Sequence, residues 1–135
     1  MSGLALRGID TYRRTEIESR TPLELVVMLY DGALRFLAEA RSAIERKDVH
    51  ARRAALGRAL AIVSELQSTL NMDAGGEISA ELDRLYSFVT MRLTDASATQ
   101  DVKPLDDAVR VLSTLREGWI GISANGPVRP QLVRG

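Results

Sequence analysis

A chain of 135 residues with eighteen basic and eighteen acidic side chains carries no net formal charge, which removes the whole-molecule field that nucleic acid or an anionic membrane surface would use. Without cysteine it holds neither a disulfide framework nor thiolate chemistry, and without a signal peptide the expected compartment is the cytosol. Two Phe, three Tyr and one Trp against abundant Ala, Leu, Arg and Glu favour helices over sheets, so one all-α domain is expected.

Residues 1–20 carry a thin apolar pattern that reads as a mobile N-terminal arm, part of it helical. Ile9 and Tyr12 stand three apart and would share a helix face, so the arm could lay both against the rest of the molecule. A helix start follows. Thr21 suits the cap, Pro22 the first turn, and Glu24 can reach back to close a capping box. This first helix is predicted from Pro22 to about Lys47. Leu25, Leu29, Ala33, Phe36, Ala40 and Ala43 share one side, and Val26, Tyr30, Leu34, Leu37 and Ile44 widen it to about half the circumference. A helix so apolar needs partners on two sides. It is not a membrane span, because Glu24, Asp31 and Arg35 interrupt it well short of ~20 apolar residues.

Asp48 is the expected cap of a second helix, about Val49 to Asn71, with a stripe of Leu56, Ala59, Val63, Leu66 and Leu70. The tight link makes the two helices antiparallel neighbours. The segment Leu70–Ile78 is the clearest break, since Gly75 and Gly76 permit positive φ. A third helix is predicted from about Glu77 to Ala98, its stripe Ile78, Leu82, Leu85, Val89, Leu93 and Ala96. After a polar break, Asp101 caps a fourth helix with Pro104 in its first turn and Leu105, Ala108, Leu112, Leu115 and Trp119 inward. Beyond Gly121 the tail is rich in breakers and poor in apolar residues, so 122–135 are expected to be disordered. The whole reads as an antiparallel four-helix bundle over 21–121.

Catalysis has little to work with. The only histidine, His50, sits in a helix entrance among Arg46, Lys47, Arg52 and Arg53, without the Glu-x-x-His pattern of a bundle metal site. Its spacing to Arg53 loosely resembles histidine phosphotransfer domains, a weaker alternative, since their histidine lies in mid-helix. No glycine-rich phosphate loop is present, so neither cofactor nor metal is expected. The basic cluster that includes Arg58 reads first as a solvated face, with an acidic partner as the other reading. More informative is a second apolar ridge. Phe88 lies about 100° from the centre of its stripe and Met91 nearly opposite the core, with Ile62 at the margin of the second helix. An aromatic and a methionine at i and i+3 suit a groove for an amphipathic partner helix.

The runs M-L-Y-D-G-A-L-R-F-L (Met28 to Leu37), S-E-L-Q-S-T-L-N-M-D-A-G-G-E-I (Ser64 to Ile78), L-Y-S-F (Leu85 to Phe88) and L-R-E-G-W (Leu115 to Trp119) together resemble the FliS family of flagellar secretion chaperones. The likeness runs from about Ile9 to Trp119. It departs at Arg20, where a small residue is usual, and at Glu81, where Asn is frequent. The resemblance implies a non-enzymatic cytosolic chaperone that binds the C-terminal segment of flagellin, blocks premature polymerisation and presents it to the export gate protein FlhA without ATP. It also implies an arm that closes over the empty bundle through Ile9 and Tyr12, and the anti-sigma factor FlgM as a further partner. Ile62, Phe88 and Met91 are then the expected client contacts. The competing reading is a homodimeric bundle that buries the ridge against itself.

Overall fold

The computed structural model describes residues 20–124, with side chains over 20–122. Ile9 and Tyr12 lie outside the described residues. Four helices make up the fold: α1 (Pro22–Arg46), α2 (Val49–Ser68), α3 (Met72–Ala98) and α4 (Lys103–Ala124), with no strand among the described residues.

The helix ends follow from local chemistry. Thr21 Oγ1 accepts from the Glu24 amide at 3.1 Å and Glu24 Oε1 accepts from the Thr21 amide at 3.0 Å, the reciprocal box that satisfies two donors at the start of α1. Lys47 ends α1 in the left-handed region, φ 60, and Asp48 then accepts the Ala51 amide at 3.0 Å to open α2. Two residues reverse the chain.

The second connection differs from the sequence expectation. α2 ends at Ser68 rather than Asn71, because Asn71 is used as the cap of the next helix, accepting the Ala74 amide at 2.9 Å. α3 therefore starts at Met72, earlier than Glu77, and only Gly76 (φ 55, ψ −129) breaks the helical path. Gly75 is helical, and its role is space: a Cβ there would lie 1.7 Å from Ser79 Oγ. α4 continues past Gly121 to Ala124. Asp101 sits just before it and accepts the Lys103 amide at 3.0 Å.

Cross-helix bonds give the topology. Arg41 pairs with Asp106 and Asp31 with Arg116, so the C-terminal part of α1 meets the start of α4 and its N-terminal part meets the end. Arg52 Nη2 donates to the Ser97 carbonyl at 3.1 Å, joining the start of α2 to the end of α3. Arg92 on α3 meets Asp107 on α4 at 2.9 Å. Each helix packs on the next and α4 returns against α1, an antiparallel ring of four.

The core alternates bulk with alanine. Tyr30, Leu37, Leu56, Val63, Val89, Leu93, Leu105 and Leu112 are sealed from solvent beside Ala33, Ala40, Ala59, Ala96 and Ala108. Each large aliphatic side chain so buried contributes about 1.5–3 kcal/mol, and the alanines let the axes approach. At the diagonal between α1 and α3 the hydroxyls of Tyr30 and Tyr86 meet at 2.6 Å, which satisfies two polar groups that would otherwise be costly there. Tyr86 and Ser79 are buried where the sequence stripe places Leu85 and Ile78; Leu85 is half-buried and Ile78 is 72% exposed. Gly32 serves close packing between α1 and α2, since a Cβ on it would stand 3.2 Å from Ile62 Cδ1.

Candidate functional site

His50 is exposed at the entrance to α2, and no group of three potential metal ligands occurs among the described residues. No described helix is long and apolar enough to cross a membrane. What the molecule offers is surface.

The three residues singled out from sequence do not come together. Phe88 and Met91 are 37% and 55% exposed on α3. Ile62 is only half-buried, but it is packed against the core and turned to Gly32 of α1. By the 100° spacing, Phe88 lies on the side of α3 that carries Leu85 and Arg92 and so faces α4, away from the α1–α2 contact. The proposed ridge is therefore a feature of α3 alone.

The more developed site lies between α3 and α4. Ile78, Leu82, Leu115, Trp119 and Ile122 line an open apolar groove of about 210 Å³, with Thr114 and Gly118 completing it. Gly118 supplies no side chain, and a Cβ there would meet nothing within 4 Å, so the floor of α4 is low at that turn. Ile78 forms one wall because it stands just after the Gly76 break, at the open end of the bundle. Phe88 and Met91 are further exposed apolar side chains along α3, past the Glu81–Arg84 pair. The sequence pattern missed this groove by counting Ile78 as core and by ending the fourth helix at Gly121, which left out Ile122. The signal was present in the spacing Leu115, Trp119, Ile122, a single helical stripe that runs past the glycine.

Trp119 links the groove to the interior. Its indole lines the groove, while its nitrogen is buried without a hydrogen-bond partner of normal geometry and is turned towards the Tyr30 hydroxyl. Burial pushes the Tyr30 hydroxyl above its usual range, against the opposing influence of its contacts to Tyr86 and Trp119. Burial and the bond to Tyr30 push Tyr86 far higher. Both phenols stay neutral at any physiological pH.

Around the groove the charges are mostly acidic. Glu77, Glu81 and Glu117 are exposed, with Glu81 paired to Arg84. Asp31, which no pattern explained in the sequence, holds Arg116 and so ties α1 to α4 behind the groove. At the opposite end of α4, Lys103 at 3.0 Å and Arg92 at 2.9 Å converge on Asp107, and the lysine bond, followed by the arginine, holds that carboxyl below its usual range. That end is clamped while the groove end is open.

Comparison with known proteins follows the same lines. The family described as flagellar protein FliS matches residues 5–126. The chain is 35% identical over 121 residues to the flagellar secretion chaperone FliS of Salmonella typhimurium, covering 86% of this chain and 90% of that one. It is 33% identical over 123 residues to the flagellar secretion chaperone FliSB of Pseudomonas aeruginosa, covering 88% and 98%. Among solved structures, a bacterial flagellar chaperone superposes with a TM-score of 0.72 at 21% identity, over 90% of this chain and 98% of that one, a likeness of fold.

Proposed function

Because the chain belongs to the FliS family, which matches it from residue 5 to residue 126, we propose that it is a flagellar secretion chaperone whose client is the C-terminal segment of flagellin. It holds that segment on the outside of the bundle, blocks premature polymerisation and delivers it through FlhA to the export apparatus from the cytosol. FlgM is a further partner in this reading, held through the N-terminal arm region. One observation carries the reading: after the core is filled, the bundle still presents the α3–α4 groove and the apolar surface of Phe88 and Met91 beyond it. A segment that is unfolded when free and amphipathic when ordered can lay its apolar face there. Phe88 and Met91 are client contacts in this account, with Ile78, Trp119 and Ile122 as the groove beside them. Ile62 contributes through the part of its side chain left in solvent. Release in this account is a handover rather than an ATP-driven step, in which FlhA competes for the complex.

Titration of a flagellin C-terminal peptide by calorimetry tests this. Phe88→Asp should change unfolding stability by about 0.5 kcal/mol, because the side chain is partly exposed, and weaken the client by about 2 kcal/mol if it anchors the contact. Ile78→Asp should behave alike. Sedimentation should give a one-to-one complex. Unchanged client affinity in both variants, or a homodimer that ignores the peptide, overturns the assignment.

A further inference from the structure

On the opposite side of the ring, between α1 and α2, two arginines stand without carboxylate partners among the described residues. Elsewhere Arg84, Arg92, Lys103, Arg110 and Arg116 each meet an acidic side chain. Arg35 and Arg58 have no such partner among the described residues, and both lie over the Phe36 ring, 5.3 and 5.8 Å from its centroid. A guanidinium that stacks its face on a ring keeps its N–H edges free for an anion. Next to them runs an open groove of about 290 Å³, floored by Ala51, Ala54 and Ala55 and bordered by Arg58, Arg46 and Glu39. Arg46 is held in place by Ser42 Oγ at 2.6 Å and reaches Asp48 only at 3.8 Å. The floor is apolar and shallow, and its rim carries two guanidinium groups against one carboxylate, with Arg35 one turn before Glu39 on α1.

We propose that this α1–α2 crease is a second docking surface, which takes an acidic helical segment of a partner protein. The partner's carboxylates meet Arg35, Arg46 and Arg58, and its small apolar side chains lie on the alanine floor. Nucleic acid fits less well, because Glu39 stands on the rim and the Phe36 ring, which a base would have to stack on, already carries two arginines. A lipid surface fits less well because the crease has no bulky apolar side chain to insert. Since the crease and the α3–α4 groove lie on opposite sides, both can be occupied in one complex, and the crease stands or falls independently of the client groove.

The probe is a fluorescein-labelled helical peptide of repeated Glu and Ala, titrated against the full chain at low salt and at physiological salt, with a Lys–Ala peptide, a single-stranded RNA and phosphatidylserine vesicles alongside. The acidic peptide should bind and weaken with salt, and Arg35→Glu with Arg58→Glu should lower its affinity about tenfold or more. Ala54→Phe, which fills the exposed floor without altering charge, should do the same. Arg53→Glu, on the α3 side of α2, should stay within about twofold, and Glu39→Gln should tighten binding. Flagellin peptide affinity should not move in any of them. Equal peptide binding by the double variant and by Ala54→Phe overturns the proposal. So does RNA or vesicle binding that exceeds the peptide's and is lost in the same variants. Melting curves on each variant establish that the bundle is intact.

Discussion

At the scale of single residues, the Tyr30–Tyr86 bond is the feature with the sharpest energetic consequence. Removing one hydroxyl strands the other in a dry core, so Tyr30→Phe or Tyr86→Phe alone should cost about 1–3 kcal/mol in urea unfolding. The double variant should cost less than the two losses added, because it strands neither partner. The pair also sets the alkaline limit. Both phenols are raised above their ordinary value of 10.0 when folded, so they hold protons that the unfolded chain loses. Their contribution is complete below pH 10 and falls as pH rises beyond it towards the folded values. Melting temperature should drop steeply in that window, and the double Phe variant should flatten the drop. Little of this was legible beforehand. Tyr30 fits the stripe of the first helix, but Leu85 and Tyr86 compete for the same inward arc, and only the meeting of two hydroxyls across the diagonal decides for the tyrosine.

At the scale of elements, the two glycines near the start of α3 illustrate what composition alone leaves open. Both permit positive φ, yet only Gly76 uses it, and Gly75 is required because Ser79 leaves no room for a Cβ. Gly76→Ala should lower stability by about 1–2 kcal/mol through backbone strain. Gly57 is the counterexample, an ordinary helical glycine with open space around it, so Gly57→Ala should raise stability by about 0.5–1 kcal/mol. Thermal melts of the two variants should move in opposite directions. The start of α1 was readable because Thr21, Pro22 and Glu24 act on their immediate neighbours. The end of α2 was not, because Asn71 suits either the close of one helix or the opening of the next, and the cap on Ala74 decides.

At the scale of the whole molecule, the even balance of charges hides their segregation. The pairs around Asp107 and the capping box at Glu24 lower both carboxyls, Glu24 through the Thr21 amide and hydroxyl and Asp107 through Lys103 and Arg92. The sign follows directly: groups with depressed folded values add stability above the unfolded carboxylate range of 3.8–4.5 and lose it as pH falls through the folded values. Melting temperature should therefore hold from neutral pH down to about 5 and decline below it, less so in Lys103→Met, which removes the leading contact to Asp107. The four-helix architecture was legible from apolar periodicity, which reports an inward face. An outward groove was not, because it depends on where two helices stop covering each other.

Trp119 gives the molecule a built-in optical reporter. It is the one tryptophan in the chain, with one edge in the α3–α4 groove and the other towards a tyrosine pair whose ring centroids are 6.5 Å apart. Light absorbed by those tyrosines drains to this indole, and its emission colour follows the wetness of the groove. Unlabelled protein should therefore shift its fluorescence to the blue as a segment covers the groove. Occupancy of the crease between α1 and α2 should leave that colour unchanged, so the two surfaces can be followed separately in one cuvette.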